Sequence, residues 1–146
     1  MGKDVLPVGF HFGVRFLGMN QQVDQEFQQV TGLSVEVELE EIAEGGENRF
    51  KHKLPKGSKY GDLTLKRGLS PHSQVLEWCR KAVEELDIVP YDLQISLLDA
   101  QHMPLATWTV VNAYPIQWSV ADFHAEESKV VIESLKLGFD YFTLKT

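Results

Sequence analysis

The sequence predicts a mainly β domain with one α-helix, built as a barrel or sandwich against which the helix packs. Three observations predict it. Apolar residues alternate with polar ones at period 2 in segment after segment. One apolar stripe of helical period, with helix-start chemistry before it, occurs in mid-chain. The 146 residues suit a single domain with one core.

The first strand is predicted over 10–18, where Phe10, Phe12, Val14 and Phe16 alternate with other residues and Pro7 and Gly9 punctuate the start. Residues 21–32 are polar apart from Val23, Phe27 and Val30, a pattern compatible with a short helix, a turn or an irregular strand. The clearest strand covers 33–40, with Leu33, Val35, Val37 and Leu39 on the predicted core face and Ser34, Glu36, Glu38 and Glu40 on an acidic face. Regular pattern then disappears over 43–60. Gly45-Gly46, Pro55 and Gly57 interrupt this stretch, and Arg49, Lys51, Lys53, Lys56 and Lys59 make it basic. It is expected to be an irregular loop, longer than the roughly 12–15 residues usual for structureless connections.

Strand character returns over 62–67. The helix follows, with Ser70 as its N-cap, Pro71 at its first position, and Val75, Leu76, Cys79, Ala82, Val83 and Leu86 as its apolar stripe. Pro90 is expected to end it. Residues 91–98 and 105–113 form a predicted hairpin around a turn at 99–103, with Leu93, Ile95 and Leu97 on one face. Tyr114-Pro115 reads as a strand break and 118–128 as a loop or turn, and 129–142 reads as one long closing strand.

Composition excludes several classes. An apolar share of 43% and a charged share of 24% are those of an ordinary globular protein, without signs of disorder. A formal charge of −7 argues against a general nucleic-acid binder, which needs a basic surface to displace counterions from phosphates. Cys79 is the single cysteine, so no disulfide can form within the chain. No run approaches the ~20 apolar residues that span a bilayer. Residues 1–7 lack the apolar run of a signal peptide, and Leu6 stands where a myristoylation signal has Ser or Thr. The expectation is a chain with neither a cleaved signal nor a membrane anchor.

No catalytic constellation is legible. His11, His52, His72, His102 and His124 are scattered, and no pair has the i, i+4 spacing of a helical metal site. Cys79 lies on the apolar stripe and is read as core. Gly45-Gly46 lacks the other glycines and the lysine of a phosphate loop, and Ser58, Ser70 and Ser73 sit in no nucleophile elbow. The chain is therefore expected to be no enzyme, with no catalytic residues, cofactor or metal ligands. Three features remain: the acidic stripe Glu36, Glu38 and Glu40, extended by Glu41 and Glu44; the basic stretch 49–59; and aromatic residues away from the obvious core positions, Trp108, Tyr114, Trp118 and Phe123. A solvated face and a solvated loop are the plain readings of the first two. Their contrast in charge also fits docking onto another surface.

Together these stretches resemble the tail-tube proteins of contractile phage tails and phage-tail-like injection systems. Pro7-Val8-Gly9-Phe10-His11-Phe12 and Phe27-Gln28-Gln29-Val30-Thr31-Gly32-Leu33 are similar to that family's opening strand and turn. Glu44-Gly45-Gly46-Glu47-Asn48 with His52-Lys53-Leu54-Pro55 resembles its long loop, and Leu63-Thr64-Leu65-Lys66-Arg67-Gly68 the strand before its helix. Trp108, Ala113-Tyr114-Pro115, Trp118 and Ile132-Glu133-Ser134-Leu135 match its later part. No motif is specific alone; their order over most of the chain carries the likeness.

The resemblance implies a single tail-tube-like domain over 1–146 that forms hexameric rings, stacked as a hollow inner tube within a sheath. It implies that the loop at about 44–60, with Glu44, Glu47, Asn48, Arg49, Lys51, His52, Lys53, Lys56 and Lys59, reaches the adjacent ring. Glu36, Glu38 and Glu40 are expected to line the lumen, where negative charge keeps DNA or acidic cargo from sticking, or else to pair with a neighbour's basic loop. Implied partners are further copies of the chain, the sheath, the baseplate hub or spike, the tube cap and the passing cargo or DNA. The particle, a virion or an injection device, would be assembled in the cytoplasm of the producing cell. A tube-initiating or baseplate-adaptor ring is the alternative within this family. A small ligand-binding β-barrel is the alternative of another class, opposed by Phe10, Phe12, Phe16, Val35, Val37 and the helix stripe, which suffice to fill a small barrel.

Overall fold

The computed structural model describes residues 11–19, 24–43, 51–69, 73–120 and 131–146, with side chains at all of these except 24, 25, 42, 43 and 51–53. Its elements in chain order are β1 (His11–Leu17), β2 (Asp24–Phe27), β3 (Gln29–Thr31), β4 (Val35–Ala43), β5 (Lys51–Tyr60), β6 (Leu63–Gly68), α1 (Gln74–Glu85), β7 (Tyr91–Leu98), β8 (Pro104–Val120), β9 (Ile132–Gly138) and β10 (Tyr141–Lys145). The ambiguous stretch 21–32 thus supplies two short strands.

The main sheet runs β2-β1-β7-β8-β9-β6-β3, with β10 on β8. All its pairings are antiparallel. Its two ends, β2 and β3, are separated in the chain by Gln28 alone, whose N–H donates to the Lys66 carbonyl at 2.9 Å. The path therefore starts and finishes on one kinked segment, which gives a barrel-like body without a ladder between the end strands.

Strand β8 turns the corner on the other side. Residues 104–113 pair with β7, 107–111 also with β10, and 114–120 with β9. The change of partner follows Asn112, at φ 55°, which is held by Asp92 Oδ1 on its N–H (3.0 Å) and Asp140 Oδ2 on its side-chain amide (2.7 Å). Tyr114-Pro115 is consequently no break: the register shifts between Pro115 and Gln117, and a bulge accommodates the residue without an N–H. Residues 118–120, expected in a loop, continue this strand, and 121–128 lie outside the described residues. The long closing strand is in turn two strands, because Asp140 turns the chain and donates its N–H to the Val111 carbonyl at 2.9 Å.

Helix α1 packs against β8 and starts at Ser73, whose Oγ accepts the Leu76 N–H at 3.0 Å. Ser70 and Pro71 lie outside the described residues. The helix stops ahead of Pro90, because Leu86 takes the left-handed conformation and the Asp87 N–H returns to the Lys81 carbonyl at 3.1 Å. Val75, Cys79 and Ala82 are buried as predicted, whereas Val83 and Leu86 are exposed. Trp78, which is not on the predicted stripe, is buried as well. It lies edge-on to Phe16, and its Nε1 donates to the Val89 carbonyl at 2.6 Å. The core around it comprises Val14, Phe16, Leu63, Leu65, Leu93, Ile95, Val110, Leu135 and Leu137.

Strands β4 and β5 form a two-stranded sheet of their own. Two expectations change here. Residues 51–60 are a regular strand, not an irregular loop; Lys56 is the extra residue of a bulge, with Glu38 opposite Gly57 and Leu39 opposite Pro55. The free outer edge of a two-stranded hairpin tolerates that proline. Val35, Val37 and Leu39, expected in the core, are exposed, because β4 pairs with β5 alone and lies outside the main sheet that encloses the core.

Candidate functional site

Two constructions stand out, one buried and one exposed. In the buried one, Arg67 on β6 donates from Nε to Glu133 Oε1 on β9 at 2.6 Å and from Nη2 to Ser73 Oγ at the helix cap at 2.8 Å. Trp118 Nε1 on β8 donates to the other oxygen, Glu133 Oε2, at 2.8 Å. The guanidinium carbon lies 5.0 Å from the centre of the Phe27 ring on β2. Glu133 is fully buried and Arg67 nearly so. An ion pair without water survives only if its remaining donors and acceptors are also satisfied, and here both carboxylate oxygens are used. Cys79 lies in the same interior; burial first and the Glu133 charge second push its thiol up to about 12, against the opposing pull of Arg67. At neutral pH it is a thiol and a packing residue, not a nucleophile.

The exposed construction is the β4–β5 hairpin. The chain leaves the body at Gly32, with φ 97°, where an added Cβ would lie 2.0 Å from the Asp62 carbonyl oxygen. Only glycine combines that conformation with so close a crossing of the outgoing and returning chain. The Tyr60 ring fastens the hairpin root, with centroids 5.8 Å from Phe139 and 5.0 Å from Phe142. Beyond the root, Val35 is 48%, Val37 58%, Leu39 55% and Leu54 46% exposed. The register places Lys59 opposite Glu36, Gly57 opposite Glu38, Leu54 opposite Glu40 and Lys53 opposite Glu41. The acidic stripe and the basic stretch, which look like separate features in sequence, are the two strands of one hairpin.

Among the residues expected to reach a neighbour, Lys56 and Lys59 are exposed on β5, and Lys51, His52 and Lys53 lie on its backbone. Glu44, Glu47, Asn48 and Arg49 lie outside the described residues, as does Phe123. Glu36, Glu38 and Glu40 are exposed on β4. Trp108, Tyr114 and Trp118 are half-buried. Sequence reading misses the pairing of Arg67 with Glu133, 66 positions apart; a charged residue at the inward step of each alternating strand is the signal that could have found it. It also misses His11 and His102, whose ring nitrogens lie 3.0 Å apart.

Three of the stretches that carry the tail-tube resemblance, those of Arg67, Trp118 and Glu133, therefore meet in one buried network. A family model for the T4-like virus tail tube protein gp19 matches residues 8–143. The chain belongs to this family. Among solved structures, this tail-tube protein is similar to a chain in the cryo-EM structure of the anti-feeding prophage baseplate, 6-fold symmetrised. The two are 27% identical with a TM-score of 0.79, over 93% of this chain and 91% of that one. A chain of the PVC sheath-tube complex in its extended state, an extracellular contractile injection system, is 22% identical with a TM-score of 0.77 over 99% and 95%. Hcp1 from Flavobacterium johnsoniae shares the fold at 10% identity, with a TM-score of 0.54 over 92% and 94%. Comparison with curated proteins finds no match. In this tail-tube protein the buried network ties β6, β8, β9 and the helix cap together, and the hairpin carries apolar residues that the described residues leave exposed.

Proposed function

We propose that the chain is the repeating subunit of the inner tube of a contractile injection particle, closing into six-membered rings that stack along the tube axis. The observation that carries this reading is the β4–β5 hairpin, a two-stranded arm rooted at Tyr60 with apolar residues left half exposed, on a chain of the tail-tube family. Such a surface has a use once another subunit covers it. The hairpin reaches the adjacent ring, and its Glu36, Glu38 and Glu40 face lines the lumen. The chain is a structural part without catalytic activity. Its partners are its own copies, the sheath, the baseplate hub and the tube cap, with cargo passing through the lumen, and it is assembled in the producing cell's cytoplasm.

A second reading within the same machine draws on the likeness to a chain in a baseplate structure: a tube-initiating or adaptor ring. Negative-stain electron microscopy of the purified protein, with its mass in solution, separates the two. Long hollow tubes or stacked rings support the main-tube role. Single rings that do not stack favour the adaptor, and a monomer at every concentration overturns both.

A further inference from the structure

We propose that His11, Glu26 and His102 form a binding site for a divalent transition-metal ion of the zinc type. The three side chains come from β1, β2 and the β7–β8 turn, and the two histidines are 91 positions apart. His11 Nε2 lies 3.0 Å from His102 Nδ1, and each of these atoms lies 3.8 Å from Glu26 Oε1. Zinc–nitrogen and zinc–oxygen bonds of about 2.0–2.2 Å in tetrahedral geometry put ligand atoms roughly 3.3–3.5 Å apart. The observed separations bracket that value, so an ion fits after shifts of a few tenths of an ångström.

The surroundings favour an ion. Glu26 pairs in register with Gly13, two residues along β1 from His11 and on the same face. The Leu98 side chain packs over Gly13, and a groove of about 720 Å³, whose lining includes Glu26, His102, Gly13, Leu98 and Arg15, opens the Glu26 and His102 side of the site to solvent. The turn carrying His102 is preorganised: Asp99 Oδ1 accepts the N–H groups of Gln101 at 2.9 Å and Met103 at 3.0 Å, and the Asp99 carbonyl accepts that of His102 at 3.0 Å. Without metal, one histidine donates a proton to the other across the 3.0 Å contact. With metal, that proton occupies the outer ring nitrogen of the same imidazole, and both inner lone pairs face the ion. Two imidazoles and one carboxylate suit zinc, whereas magnesium and calcium prefer all-oxygen sets. The fourth position remains open, and the ion clamps β1, β2 and the turn together.

The test is calorimetric titration of the full chain with Zn²⁺ alone, repeated with Mg²⁺, and Co²⁺ absorption as a reporter of tetrahedral coordination. One equivalent of Zn²⁺ is expected, with no heat from Mg²⁺. His102→Ala, at an exposed turn, should weaken binding by more than the about 10–100-fold that loss of an outer-shell partner costs. His11→Ala and Glu26→Gln should weaken it as well, and His124→Ala should not. Unchanged Zn²⁺ affinity in His102→Ala, or weak binding of several equivalents indifferent to all three substitutions, overturns the site.

Discussion

In β6, Leu63, Leu65 and Arg67 alternate with Thr64, Lys66 and Gly68, and the first set is buried. In β4, Val35, Val37 and Leu39 alternate with Glu36, Glu38 and Glu40, and both sets are exposed. The patterns are of the same kind, and β4 has the cleaner one. The outcomes differ because β6 lies between β3 and β9 beneath the core, while β4 has only β5 beside it. Period-2 alternation says that one face of a strand is to be covered. It does not say whether the cover comes from the same chain. In this tail-tube protein the body supplies its own cover, whereas the described residues of the chain leave the apolar face of the hairpin exposed.

The largest expected effect breaks the body. Glu133→Ala leaves Arg67 charged and buried without its partner and strips Trp118 of its acceptor, which should cost about 3–5 kcal/mol. For a domain of this size that lowers the melting temperature by about 10 °C. Glu133→Gln keeps an acceptor and should cost less. Equal stability of the alanine variant and the parent in chemical denaturation would show that the network does not hold the body.

Next in size is a pH effect from the same interior. The unfolded chain ionises Cys79 at its ordinary 9.0, and the folded chain retains the proton to about 12. The folded state therefore binds more protons in that window, and stability falls as pH rises through it, by about 1.4 kcal/mol per unit once well inside. Cys79→Ala should remove this component from the denaturation profile, and an unchanged slope would contradict it.

Substitution of Val35, Val37 and Leu39 together by serine sharpens the comparison from the other side. Exposed positions cost roughly 0.5 kcal/mol or less each, so the subunit should stay folded. Tubes or stacked rings should be lost in electron micrographs. A triple variant that still polymerises would take the hairpin out of the assembly. The smallest expected effect lies within the hairpin: Glu36→Lys sets a like charge opposite Lys59 and should destabilise by about 0.2–1 kcal/mol. Glu38→Lys, opposite Gly57, should cost less, and the order of the two denaturation midpoints checks the register.

Much of the body was legible residue by residue. The alternations at Phe12–Val14–Phe16 and Leu93–Ile95 mark strands that exist, and Val75, Cys79 and Ala82 mark the buried side of the helix. The exceptions have local causes. The Pro115 and Pro55 positions are absorbed by bulges, and Leu86 ends the helix through a conformation that its side chain does not announce. The candidate site was legible only in part: Glu36, Glu38 and Glu40 stand where the alternation puts them, whereas the basic stretch reads as a loop because bulge and proline hide its period.

By itself, then, the sequence determined the class of the fold, the faces of most strands, the packing role of Cys79 and the tail-tube likeness, since periodicity and turn chemistry act over a few residues. Only the tertiary structure decided which apolar faces are covered, that the acidic and basic stretches are cross-strand neighbours, and that Arg67 meets Glu133 and His11 meets His102. Those pairings join residues many positions apart. Their geometry comes from strand order and register, which the chain sets only when the whole sheet assembles around one core.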